Sequence, residues 1–200
     1  MLAYPSIPGW KHSRNGEPCL AFYKYDGSNL RWEWSPKRDW YKFGSRTQLF
    51  DHTSDQFKEA IPLFKNGMAD EIVKIITKDQ GRKVERIVAF TEFFGASSFA
   101  GTHDPNEQKD LVLIDVSVYK QGFIAPRKFV KLFGEKEWAA KVVYEGNMNV
   151  EFIEAVRHGA YPVYEGVVCK GDDWKAKIKT FEYLNRLKNR FGDDWEKYAE

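Results

Sequence analysis

Two cysteines and four histidines in 200 residues leave little material for a disulfide framework or a metal-ligand cluster. Cys19 and Cys169 stand far apart in the chain. His12, His52, His103 and His158 are scattered without ligand spacing, and none is assigned a catalytic role. A reduced, cytoplasmic setting is the expectation. No apolar run is long enough to span a bilayer. The opening residues, MLAYPSIPGWKHSRNGEP, lack both the basic stretch and the apolar core of a signal peptide. The net charge is only +2, so any grip on nucleic acid must come from a local cluster of Lys and Arg. Repeats, low-complexity tracts and long linkers are also missing. One domain over residues 1–200, with 181–200 as a helical tail, is the expected organisation, and a monomer the expected state.

What the chain has in quantity is aromatic and apolar side chains, 16% and 42% of residues, enough for a sizeable core. Trp32, Trp34, Trp40 and Trp174 are candidates for stacking nucleic-acid bases, although core packing is the simpler expectation. PCLAFYKY and LRWEW read as strands separated by a turn at Asp26-Gly27-Ser28-Asn29, and a further strand is expected from Trp40 to Gly44. A helix capped by Thr53 or Ser54 should run to Phe64. A second should cover Met68 to Thr77, where Met68, Ile72, Ile75 and Ile76 share one face. VERIVAFTEFFG (84–95) and DLVLIDVSVY (110–119) read as buried strands. Short helices should begin at Pro126 and cover Val150 to Arg157, the latter stopping at Gly159. YEGVVCKG and WKAKIKTF form a strand pair across Gly171-Asp172-Asp173, and Tyr183 to Ala199 is helical and amphipathic. Strands with interspersed helices, without regular βαβ alternation, predict an α+β fold built on antiparallel sheet.

Several charged residues lie in segments that otherwise read as buried: Lys24 in FYKYDGSN, Glu92 in FTEFFG, Glu165 and Lys170 in EGVVCK, and Lys177 and Lys179 in KAKIK. A charge in such a strand is costly unless it is paired or faces a wet cleft. Lys175, Lys177 and Lys179 alternate with Ala176 and Ile178, so they share a strand face. Lysines side by side repel unless an anion lies between them. Together with Arg46, these groups would form an electropositive pocket containing carboxylates, as a nucleoside triphosphate and its cation require.

The order K-x-D-G (Lys24, Asp26, Gly27), S-R (Ser45-Arg46), F-x-E-x-x-G, E-G-V-V-x-K (Glu165 to Lys170) and K-x-K (Lys177, Lys179) resembles the motifs of the covalent nucleotidyltransferases, the polynucleotide ligases and mRNA capping enzymes. It runs in the expected order through about three quarters of the chain. Asn29, in K-x-D-G-x-N, is similar to the nick-sealing RNA ligases, whereas Asp26 stands where that branch often has His. The resemblance implies an antiparallel-sheet ligase adenylation domain, without an OB fold or other appended domain. It implies ATP and Mg²⁺ or Mn²⁺ as cofactors and RNA ends as the partner. Lys24 would be the nucleophile that holds AMP, its amine kept neutral by Lys177, Lys179 and the metal. Asp26, Gly27, Asn29, Arg46, Glu92, Phe94, Val167 and Lys170 would bind the nucleotide, Glu92 near the ribose hydroxyls. Glu165 would lie near the metal or the reacting lysine. Ile114 and Asp115 stand where an aromatic base contact is common, and Asp115 is expected to support the site or to be a buried, hydrogen-bonded acid. A minimal DNA ligase and a non-catalytic nucleotide- or RNA-end-binding protein are the alternatives.

Overall fold

The computed structural model describes residues 1–50, 55–81, 83–96 and 103–199. It contains two antiparallel sheets, as the strand patterns predict. The smaller has the order β10-β9-β1-β8, formed by β1 (Pro18–Lys24), β8 (Val142–Asn147), β9 (Gly166–Lys170) and β10 (Lys175–Lys179). The larger has the order β4-β3-β2-β5-β6-β7, from β2 (Gly27–Ser35), β3 (Asp39–Ser45), β4 (Leu49–Phe50), β5 (Ile87–Phe94), β6 (Asp110–Val118) and β7 (Gly122–Phe123). The expected turn after Lys24 is shorter than its four residues. Gly27 already belongs to β2, and the chain passes from one sheet to the other through Tyr25 and Asp26 alone. Gly27 permits this because a Cβ there would lie 2.3 Å from the Phe93 carbonyl oxygen.

Strand periodicity assigns the faces. In the smaller sheet Cys19, Ala21, Val167, Cys169, Ala176 and Ile178 pack beneath α4 (Val150–Arg157), whose Phe152, Ile153 and Val156 complete this core. The opposite face presents Phe22, Lys24, Val168, Lys170, Lys177 and Lys179 to a cavity against the larger sheet. One face of the larger sheet, including Leu30, Trp32, Trp34, Ile87 and Ala89, is covered by a helical run. That run comprises α1 (Ala60–Phe64), a π-turn at Lys65–Ala69 and α2 (Asp70–Gln80), so the two predicted helices are joined. The proposed caps Thr53 and Ser54 lie outside the described residues. Phe57 has a φ of 57°, a left-handed conformation that an α-helix cannot pass through, and α1 starts only after it.

The four tryptophans considered for base stacking are packed against the protein instead. Trp32, Trp34 and Trp174 are buried, Trp32 stacking on Phe64 at 4.1 Å, and Trp40 meets the same ring edge-on. The remaining helices are α3 (Pro126–Phe133), α5 (Phe181–Phe191) and α6 (Glu196–Ala199). Within α5, Tyr183 and Leu187 are buried. No helix among the described residues is long and apolar enough to cross a membrane.

Candidate active site

Lys24, at the end of β1, and Lys179, at the end of β10, both pair in register with Gly166 on β9. Their ammonium groups therefore approach one another across a glycine. Gly166 has a φ of 147°, and a Cβ there would lie 2.0 Å from the Ile178 carbonyl oxygen. The preceding residue, Glu165, supplies the anion. Its Oε2 accepts from Lys24 Nζ at 2.8 Å and its Oε1 from Lys179 Nζ at 2.9 Å. Only 3% of the Glu165 side chain is exposed, against 8% for Lys179 and 21% for Lys24. One carboxylate thus holds two lysines, an arrangement that repays desolvation only while all three groups remain.

This geometry reverses one expectation. Burial disfavours the Lys24 ammonium, but Glu165 and then Glu92 outweigh it, and its pKa lies above the ordinary 10.5. The amine is therefore held protonated in the free protein, not neutral. Lys179 moves down because burial outweighs Glu165, with Lys24 adding repulsion. Lys177 forms no ion pair among the described residues. Burial, then Lys179 and Lys24, lower it to about 8.

Glu92 belongs to β5, where it pairs with Asn29 of β2, and both face the cavity with Arg46. Burial raises the Glu92 carboxyl to about 7, against the pull of Lys24 and with the push of Glu165. A carboxyl with a pKa raised from 4.5 destabilises the folded state increasingly between pH 4.5 and 7, and fully above 7. Glu92→Gln is therefore expected to stabilise the protein by about 2 kcal/mol at pH 8, after allowance for partial exposure, and to leave stability unchanged at pH 4. Urea unfolding at the two pH values measures this.

The cavity has a second, less polar end formed by Phe22, Ile114, Ala140 and Val168, closed by Lys170. Lys170 Nζ donates to the Ile114 carbonyl at 2.7 Å and to Asp115 Oδ2 at 3.1 Å. Asp115 also accepts from Lys175 at 2.6 Å and from the Tyr4 hydroxyl at 3.1 Å. Against the cost of burial, the two lysines hold its carboxyl below the ordinary value. Asp115 is thus a buried counter-ion, and Lys175 belongs with it and not with Lys177.

Two predicted ligands are placed differently, and a third, Asp26, lines the cavity with partners of its own. Val167 is fully buried in the core beneath α4, and its neighbour Val168 lines the cavity instead. Phe94 packs against Tyr25, the ring centroids 5.0 Å apart and tilted by 35°, and lines an adjoining hollow with His103 and Tyr164. Asp26 lines the cavity, but Tyr183 donates to its Oδ1 at 2.9 Å and His103 Nε2 lies 3.3 Å from its Oδ2. Asp26 therefore anchors the crossover between the sheets. Tyr183 and His103, both missed from the sequence, anchor it in turn. Neither of these contacts has a local signal, because Asp26 is remote from both residues in the chain.

No group of three or more His, Cys, Asp or Glu side chains that could hold a metal exists among the described residues. Glu92 and Glu165 are the carboxylates a cation could use, and Glu165 is already shared by two lysines. A phosphate-borne divalent ion fits this donor set, because Mg²⁺ is commonly held by one or two carboxylates with substrate oxygens and water.

No family model and no curated protein sequence matches the chain. Solved structures do match. A mutant of the Naegleria gruberi RNA ligase with ATP and Mn aligns with a TM-score of 0.65 at 17% identity, over 94% of this chain and 59% of the ligase. An apo mutant of the same ligase gives 0.67 at 13%, over 94% and 58%. The ligase with PPi gives 0.65 at 16%, over 94% and 58%. The chain thus spans under three fifths of the ligase's length. Over that span it shares the fold of this RNA ligase.

Proposed function

We propose that the protein is an ATP-dependent RNA ligase, joining 5′-phosphate and 3′-hydroxyl ends with ATP and Mg²⁺ or Mn²⁺. The observation that carries this reading is the Lys24–Glu165–Lys179 triplet at the ionic end of a cavity whose other end is apolar. Lys24 Nζ would attack the α-phosphorus of ATP, forming a P–N bond as the bond to pyrophosphate breaks. The amine must first lose a proton, and Glu165 lies 2.8 Å away to take it. Lys177 and Lys179 would neutralise charge on the phosphates, Glu92 would accept from the ribose hydroxyls, and Ile114 and Val168 would flank the base. A bound divalent cation would add charge neutralisation at the phosphates. In the second step an oxygen of the RNA 5′-phosphate attacks the same phosphorus, breaking the P–N bond and returning Lys24. A 3′-hydroxyl then attacks the activated 5′-phosphate, releasing AMP. Asn29, by its similarity to K-x-x-G-x-N ligases, supports RNA over DNA.

The test is incubation with α-labelled ATP and Mg²⁺, followed by denaturing gel electrophoresis. Label retained on the protein, and chased onto 5′-phosphorylated RNA, is expected. Absence of labelled protein overturns the reading. Equal sealing of all-DNA nicks and nicks with RNA on the 3′-hydroxyl side would count against RNA as the substrate.

A further inference from the structure

The nucleotide cavity has a wall that none of the sequence motifs supplies. Tyr4, Pro5, Ser6 and Ile7 line it. This N-terminal arm is fastened at both ends. The Tyr4 hydroxyl donates to Asp115 beside the apolar end, and the Pro8 carbonyl accepts from the Lys177 amide at 2.9 Å at the ionic end. Gly9 adds a parallel bridge to Lys177. Since β10 is the edge of its sheet, the arm occupies the one free main-chain edge of the strand that carries Lys177 and Lys179. Tyr4 and Ile7 also pack against Val88 and Phe90 of the larger sheet, so the arm touches both sheets. Pro5, Ser6 and Ile7 therefore cross the cavity between the base end and the phosphate end, while Pro5 and Ser6 remain largely exposed to solvent.

We infer that residues Tyr4–Ile7 are nucleotide-contacting residues, and that the Pro8–Lys177 bond positions Lys177 for the phosphates. This rests on the proposed ATP site and adds a wall to it. A nucleotide lying from Ile114, past the paired Val168 and Lys177, to Lys24 and Lys179 would pass the arm where it is bonded to Lys177. Loss of a contact made equally in ground and transition states raises KM and leaves kcat unchanged.

Two experiments test this. Photolysis of the intact protein with 8-azido-ATP, followed by peptide mass mapping, should place adducts within residues 4–7, and excess ATP should suppress them. This reads binding and not turnover, so it remains informative if no lysyl-AMP forms. Kinetically, Ile7→Ala is expected to raise KM for ATP about fivefold in the labelling reaction with kcat nearly unchanged. Ser6→Trp, which adds bulk at an exposed wall residue, is expected to raise it at least tenfold, with an unfolding midpoint close to the parent's. The proposal is overturned if adducts map only to β6 or β9 and both variants keep the parental KM. If adducts map to the arm but labelled protein never appears, the arm stands and the ligase reading fails.

Discussion

Lys24→Arg is expected to abolish covalent attachment of AMP, by on the order of 10⁴-fold or more, while leaving the protein folded and able to bind ATP. A guanidinium stays protonated at any pH the protein tolerates and cannot serve as the nucleophile. It can still pair with Glu165, so the counter-ion of Lys179 remains in place. The expected pattern is therefore specific: no labelled protein, a retained ATP-dependent rise in the melting temperature, and retained joining of RNA supplied already adenylylated. Label on Lys24→Arg equal to the parent's would remove Lys24 from the chemistry. Wild-type protein carries a pH signature of the same group. The pKa of Lys24 is raised above 10.5 in the free protein, so the neutral fraction is small at pH 7 and grows about tenfold per pH unit. Labelling should accelerate across pH 7 to 9, and the Lys177 charge opposes this trend. Above about pH 8 Lys177 loses its proton, and affinity for the triphosphate should fall.

The parts of the site legible in the sequence were those that strand periodicity and a resemblance to known motifs share. KAKIK could place its three lysines on one face whatever the partner strand, and the structure keeps them there. Periodicity also contained a correction that the motif match hid. Val167 and Lys170 lie three apart on one strand and cannot face the same side, and with Lys170 on the cavity the contact passes to Val168. Phe94 shares the parity of Glu92, but it sits where β5 ends and Tyr25 takes up its ring. The arm, Tyr183 and His103 were not legible. Their partners are Asp115 and Lys177 for the arm and Asp26 for the other two, far away in the chain, and no local pattern encodes such contacts. The crossover at Tyr25-Asp26 was hidden for a related reason. Two strands separated by a turn look the same locally whether they pair with each other or enter different sheets.

Removing the shared carboxylate should be the most damaging single change to stability near the site. Glu165→Gln leaves two largely buried ammonium groups facing each other across Gly166 without an anion. Breaking a buried ion pair from one side typically costs about 3–5 kcal/mol, and about 4 kcal/mol is expected here at pH 7 in urea unfolding. The pH dependence has a definite sign. A lysine whose folded pKa is raised above its ordinary 10.5 contributes stability that is complete below 10.5 and lost as pH rises through the folded pKa. Lys24 makes that contribution in the wild type through Glu165, and the variant lacks it. The gap between the two proteins should therefore be widest at neutral pH and close above pH 10.5, where Lys24 loses its proton in both. Pyrophosphate should narrow the gap at pH 7, because a bound polyanion supplies the charge the variant has lost. Labelling should fall about 100-fold, since the group that accepts the Lys24 proton is gone. A variant as stable as the parent at pH 7, or one that pyrophosphate does not stabilise beyond the parent's response, would show that the lysines do not depend on Glu165. With the expected result, the carboxylate instead holds the two cations while phosphate is absent and releases them when it arrives, which is how a site this cationic stays folded while empty.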